Sequence, residues 1–376
     1  MSLEFDCRMI LRCLDLARRA LGQTSPNPLV GSVIVQGEEI VGEGFHPKAG
    51  EPHAEVFALR AAGEQARGAI AYVNLEPCSH YGRTPPCANA LIEAGVARVV
   101  IGMVDPNPQV AGSGIAKLRE AGIEVVVGVE EAACQDLNEA FVYRIRHQQP
   151  LGILKYAMTL DGKIAATTGH SAWITSPPAR ALVHQLRMGC DAVVIGGNTA
   201  RRDNPYLTSH GQGHNPLRVV MSRSLALPQT ANLWQTDLAP TVVFTEAGAS
   251  PGFQKFLAQQ GVEVVEFMSL TPAQVMANLG DRGFLSVLWE CGGRLAAEAI
   301  ADHAIQKIMA FIAPKIIGGA EAPSPIGDLG LTRMTDALEL ERVKWRSVGV
   351  DLLMEGYLLT LPQMNQGDSS GCLSGG

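Results

Sequence analysis

The chain has 376 residues, of which 47% are apolar and 18% charged, and a formal net charge of −7. That length suggests two domains of about 150 residues each, and the composition excludes a disordered or fibrous chain. The acidic balance gives no reason to expect a nucleic-acid partner, and no apolar run reaches the roughly 18 residues that would span a membrane.

Residues 4–21 predict an amphipathic helix, with Phe5, Met9, Cys13, Leu16, Ala17 and Ala20 on one stripe. Asp6, Arg8, Arg12 and Asp15 interrupt any signal-peptide core, so a cytoplasmic location is expected. TSPNP at 24–28 ends the helix, and 29–36 and 39–45 predict a hairpin around Gly37. A helix over 53–66, a strand over 69–77, a helix over 87–95 and a strand over 97–104 follow. A Gly-rich loop leads to a helix around 115–122 and a strand over 123–129, and 130–147 predict one further helix. Strand–helix alternation predicts a sheet with helices on its faces.

Pro150 marks the domain break. Beyond it lie a strand over 151–158, a helix around 179–189, and strands over 191–197, 217–222, 241–246, 284–290 and 307–314. This is a second α/β unit. The expected division is 1–147, 151–361 and a disordered tail over 362–376, which has no apolar period. A homo-oligomer is left open.

Eight cysteines in so long a chain do not make a disulfide scaffold, and without an export signal clustered Cys read first as metal ligands or catalytic groups. His53 and Glu55 open one predicted helix, Cys78 follows a predicted strand, and Cys87 opens the next helix. One imidazole and two thiolates give a tetrahedral Zn²⁺ three ligands and leave one place for water, whose pKa the metal lowers to about 7. Glu55 is placed as the proton shuttle that is not itself a ligand. A zinc-stabilised binding module without catalysis is the alternative; it requires a fourth protein ligand, for which His80 is the candidate.

The H-A-E at 53–55 and the P-C at 77–78 followed by Cys87 resemble the zinc-dependent cytidine/deoxycytidylate deaminase superfamily. Eight residues separate Cys78 from Cys87, where many members have two. PNPLVG (26–31), GEGFHPKAGEPHAE (42–55) and NLEPCSHYGRTPPC (74–87) narrow the resemblance to the deaminase half of the bifunctional riboflavin-biosynthesis deaminase/reductases. The resemblance implies a cytidine-deaminase-like αβα sandwich. It also implies removal of an amino group from a diaminopyrimidinone carrying a phosphoribosylamino arm, a phosphorylated small-molecule substrate. Asn27 would contact the pyrimidine, and His46 and Lys48 would lie near the site mouth.

No G-x-G-x-x-G follows the first strand of the second unit. Instead Gly-Gly follows the strands ending near 196 and 290 and recurs at 318–319, where backbone N–H groups could approach a phosphate at a helix N-terminus. Arg187, Arg201, Arg202, Arg218 and Arg223 suggest a local anion site. Residues 155–165, 171–175, 191–199 and 313–319 resemble the reductase half of the same family, which is similar in fold to dihydrofolate reductase and uses NADPH. The resemblance implies an NADPH site of Ala157, Trp173, Thr199, Asp203, Arg223, Gly292, Gly293 and Arg294. It implies substrate contacts from Lys155, Ser171, Arg187, Leu207, His210 and Glu290, with Arg187 suited to the phosphate. Three positions depart from the family pattern: Cys291 stands where Gly or Ala is usual, His210 where Arg is usual, and Ser222 where Asp is usual. These departures motivate a second alternative, a deaminase with a degenerate second domain.

Overall fold

The computed structural model describes residues 1–79, 85–108 and 110–359. His80 and the tail over 362–376 lie outside the described residues.

The first unit comprises α1 (Leu3–Ala17), β1 (Gly31–Gln36), β2 (Glu39–Phe45), α2 (Ala54–Ala62), β3 (Ile70–Leu75), α3 (Cys87–Ala94), β4 (Arg98–Met103), α4 (Ser113–Glu120), β5 (Glu124–Val127), α5 (Glu131–Leu137) and α6 (Glu139–His147). Its sheet has the order β2-β1-β3-β4-β5. The hairpin β1–β2 and the pair β1–β3 are antiparallel, and β3–β4–β5 run parallel. Alternate residues feed two cores: Ile34, Ala71 and Val73 pack on one face, and Val33, Val35 and Tyr72 on the other. Both faces are covered by helices, which is why these strands read as nearly continuous apolar runs.

The second unit comprises β6 (Leu151–Thr159), α7 (Pro177–Gly189), β7 (Ala192–Gly196), α8 (Gly197–Asp203), β8 (Leu217–Met221), β9 (Thr241–Glu246), α9 (Pro251–Gln259), β10 (Glu263–Phe267), α10 (Pro272–Asp281), β11 (Ser286–Trp289), α11 (Gly293–Ala301), β12 (Lys307–Ala313), β13 (Leu340–Val348) and β14 (Asp351–Leu358). The strands form one sheet in the order β10-β9-β8-β7-β11-β6-β12-β14-β13. Strands β10 to β12 pair in parallel, and the hairpin β13–β14 joins antiparallel. The layers again alternate, with Val193 and Ile195 on one core and Ala192 and Val194 on the other.

The helix expected over 130–147 is two helices. Asn138 breaks it, because its side chain bonds Leu29 on a distant segment: the Leu29 N–H donates to Asn138 Oδ1 at 2.8 Å, and Asn138 Nδ2 donates to the Leu29 carbonyl at 3.0 Å. The Gly-Gly at 318–319 opens no helix. The N–H groups of Ile317 and Gly318 donate to the Asp161 carboxylate instead, at 3.3 and 2.7 Å.

Candidate active sites

The first cavity, of about 560 Å³, is lined by the start of α2, the end of β3 and one face of α6. Helix α2 can lie directly on β2 because Gly42 and Gly44 carry no side chain; a Cβ on Gly44 would sit 2.4 Å from the Ala54 carbonyl oxygen. That close approach fixes the α2 N-terminus, and His53 is the extended residue just before it. Cys78 follows β3 and Cys87 opens α3.

His53 Nδ1 lies 3.6 Å from Cys78 Sγ and 3.3 Å from Cys87 Sγ. Ligand bonds of about 2.0–2.3 Å in a tetrahedral zinc site separate neighbouring donors by about 3.6–3.8 Å, so this set fits Zn²⁺ without rearrangement of the fold. The Cys87 N–H donates to Cys78 Sγ at 3.2 Å, an outer contact that orients the sulfur. The shared Cys78–Cys87 hydrogen bond, with help from His53, holds the Cys78 thiol well down and pushes Cys87 up. Glu55 is buried, and its Oε2 has no hydrogen-bond partner. Burial, then the nearby Cys78, raises its pKa. An orphaned carboxylate oxygen beside three convergent metal donors is the signature of a group waiting for a ligand, not of a core residue.

Asn27 and His46 line the same cavity. The Pro52 carbonyl lies 3.0 Å from His46 Nδ1 and can only accept, so Nε2 receives the Asn27 amide at 3.0 Å. That bond orients the Asn27 side chain. Glu76, absent from the sequence reading, shapes another wall. Its carboxylate accepts N–H bonds from Asp105, Gly112, Gly114 and Ile115 at 2.9–3.2 Å, tying the α4 N-terminus to the strand end that carries Cys78. The signal available was its place directly before Pro77-Cys78.

A second cavity, of about 510 Å³, opens at the C-terminal ends of β7, β8 and β11, the usual ligand edge of a parallel sheet. Thr199, Asp203, Arg223, Gly292, Gly293 and Arg294 line it, and so does Ser171. Gly292 caps α11, and a Cβ on Gly293 would come 2.6 Å from the Ser324 carbonyl oxygen. The first residues of α11 thus border the cavity, and a helix N-terminus there is a fit for a dinucleotide phosphate. Ser171 Oγ donates to Asp203 at 3.5 Å. Ala157 and Trp173 are not among the residues lining the cavity. Ala157 packs against the core, while Trp173 is 70% exposed with Arg180 4.5 Å above its ring.

Lys155, Arg187 and Glu290 come together, as the resemblance implied. Arg187 grips Glu290 with two bonds, of 2.6 and 3.0 Å, and Lys155 Nζ lies 3.6 Å from the same carboxylate. Burial would raise the Glu290 carboxyl, but Arg187 and Lys155 outweigh it and hold it at about 2. The third guanidinium nitrogen of Arg187 donates to the Thr208 carbonyl at 3.2 Å. Each Arg187 nitrogen thus already has a protein partner, which makes this residue a brace for Glu290 more than an open phosphate hook. His210 stacks on His184, with ring centroids 4.1 Å apart. His184 escaped the sequence reading, although three residues before Arg187 places it on the same helix face.

One expectation needs correction. The five arginines are not one cluster: Arg218 is wholly buried and donates to the carbonyls of Tyr206, Asn232, Gln235 and Ala239. Leu207 is buried in the core, so a contact from it to a ligand would come from its backbone. Cys291, by contrast, is accommodated. It is absent from the residues with positive φ and packs into the core, so the position makes no demand for Gly.

Residues 3–103 match the cytidine and deoxycytidylate deaminase zinc-binding region, and residues 150–354 match the RibD C-terminal domain. The riboflavin biosynthesis protein RibD of Synechocystis is 62% identical over 92% of this chain and 95% of its own length. The chain belongs to the RibD family of riboflavin biosynthesis proteins. It is therefore a bifunctional enzyme with a zinc-binding deaminase domain and a reductase domain. A Thermotoga maritima diaminohydroxyphosphoribosylaminopyrimidine deaminase/5-amino-6-(5-phosphoribosylamino)uracil reductase has a similar structure, with a TM-score of 0.83 and 35% identity over 95% of this chain and 99% of that one. The chloroplastic riboflavin biosynthesis protein PYRR of Arabidopsis thaliana is 48% identical over 96% of this chain and 62% of its own length. Among the described residues, no helix is long and apolar enough to cross a membrane.

Proposed function

We propose that the two cavities act in turn on one phosphorylated diaminopyrimidinone: the first removes an amino group as ammonia, and the second reduces the ribosyl arm to ribityl with NADPH. The observation that carries this reading is the convergence of His53, Cys78 and Cys87 beside the orphaned Glu55 Oε2.

His53, Cys78 and Cys87 hold Zn²⁺ in this reading. The bound ion would bring the pKa of a water molecule to about 7 and so make it a nucleophile at neutral pH. Glu55 carries the two protons of the attacking water in turn at Oε2, one to the adjacent ring nitrogen and one to the departing amino nitrogen, so the C–N bond breaks and water and the aminopyrimidine become a ring carbonyl and ammonia. Its burial keeps bulk water from competing for these protons. Asn27, oriented by His46, holds the pyrimidine edge. A Glu55 carboxyl raised by burial suits a group that must both accept and return a proton.

In the second cavity, Thr199, Asp203, Arg223 and the α11 N-terminus from Gly292 to Arg294 hold the NADPH phosphates and ribose. The nicotinamide supplies the hydride, and the chain supplies position and charge. Glu290, kept ionised by Arg187 and Lys155, accepts hydrogen bonds from substrate hydroxyls. Lys155 and Arg187 outnumber Glu290, and this excess positive charge favours an anionic arm, while the neighbouring His184–His210 stack is held neutral by burial and adds no charge. Ser171, 3.5 Å from Asp203 in the same cavity, stands between substrate and cofactor in this reading.

The reaction proceeds in the cytoplasm in this reading. The described cysteines are all free, which fits a reducing compartment, and α1 contributes Phe5, Ile10 and Cys13 to the first core. The test is a balance of products. Supplied with the diaminopyrimidinone phosphate and NADPH, the purified protein should release one ammonia per NADPH oxidised and carry one zinc per chain. Ammonia release without NADPH oxidation would leave only the first half of the proposal standing.

A further inference from the structure

The helix α6 belongs to two sites at once. Phe141 and Ile145, four residues apart on one face, line the first cavity. On the other side, Ala140 and Tyr143 pack against a core of the second sheet. Glu139, at the start of the helix, receives Lys307 Nζ at 2.6 Å and the Tyr357 hydroxyl. Lys307 and Tyr357 are directly opposed across β12 and β14, so the pair is a single feature of the second sheet. The ion pair is shielded, with side chains 14% and 27% exposed.

Just before Glu139, Asn138 grips the Leu29 backbone from both sides. Leu29 lies within the segment whose residues Pro26, Asn27, Pro28 and Val30 line the same cavity. A nine-residue helix is too short to hold a position by its own hydrogen bonds, so its placement follows from what grips it. The grip comes from the second sheet, and what α6 places are two wall residues and the loop that presents Asn27.

We infer that Lys307 and Tyr357, in the reductase sheet, are positioning residues for the deaminase cavity, acting through Glu139 and Asn138 on Phe141, Ile145 and the Asn27 loop. This rests on the reading of that cavity as the deaminase site. It gives a physical reason for the two activities to share one chain: the second domain completes the pyrimidine pocket of the first.

The experiment is a kinetic comparison on the full chain, with ammonia release and NADPH oxidation measured separately, the latter on the deaminated intermediate. In the Lys307→Met, Tyr357→Phe double variant, the KM for ammonia release should rise about tenfold, the loss of roughly one charged hydrogen bond. Its kcat should stay within about twofold, because the contact is equal in ground and transition states. Zinc content and NADPH oxidation should be unchanged. A charge-swapped pair, Glu139→Lys with Lys307→Glu, should recover part of the lost KM. An unchanged KM overturns the inference, and so does a parallel fall in both activities and in thermal stability. Glu55→Ala, run alongside, should release ammonia at least about 10²-fold more slowly than the parent chain. If its rate is unchanged, the reading of the cavity fails, which is a different result from an unchanged KM in the double variant.

Discussion

The deaminase and reductase sites differ in how tightly their chemistry is drawn together. In the first, His53, Cys78 and Cys87 place their donor atoms within 4.8 Å of one another, with Glu55 buried beside them. In the second, the residues that the resemblance implied are scattered: seven line the second cavity, Trp173 stands exposed, and Leu207 is in the core. A metal accepts only a few donors at fixed distances, whereas a dinucleotide is held largely by backbone, shape and net charge. Side-chain identity therefore carries the first site, and backbone geometry carries much of the second.

That contrast predicts a graded response to substitution. The largest effect belongs to Glu55→Ala, which should lower kcat for ammonia release by about 10²- to 10⁴-fold while zinc stays bound. Steady-state kinetics with metal analysis checks it, and loss of zinc together with activity would make Glu55 a structural residue. An intermediate effect belongs to Gly293→Ala. The new Cβ meets the Ser324 carbonyl and must displace backbone, so the KM for NADPH should rise about tenfold with ammonia release untouched. Unaltered NADPH kinetics would dissociate the α11 N-terminus from the cofactor.

The smallest effect belongs to His184. Burial, His210 and Arg187 push its imidazole down to about 4, whereas an unfolded imidazole titrates near 6.5. Above pH 6.5 the group is neutral in both states and contributes nothing to the pH dependence. As the pH falls from about 6.5 to 4, the unfolded chain takes the proton first, so folding stability declines across that window. His184→Gln should flatten this part of the urea-stability profile. A profile identical to that of the parent chain would place the pH sensitivity elsewhere.

The same contrast explains what could be read from the residues alone. His53, Glu55, Cys78 and Cys87 were legible because ligand type and spacing are themselves the chemistry. Most strands were legible because both sheet faces are buried, leaving long apolar runs such as 192–195. The strand β13 left no such trace, since it is exposed over most of its length and has no apolar alternation. Asn138 could not be recognised as a helix break, because its partner Leu29 lies 109 residues away. Arg218 looked like part of an anion site, yet tertiary packing turns it into an internal brace for four carbonyls. Glycine pairs were equally ambiguous. Those at 196–197 and 292–293 open helices at the cavity, while the amide of Gly318 is taken by Asp161.

The central claim is that one chain holds two chemically distinct sites, one needing zinc and the other not. Its most direct test is removal of the metal from the intact protein. Chelation should stop ammonia release from the diaminopyrimidinone phosphate while NADPH oxidation continues on the deaminated intermediate, and added Zn²⁺ should restore the first activity. Ammonia release that persists in the zinc-free protein would contradict the account.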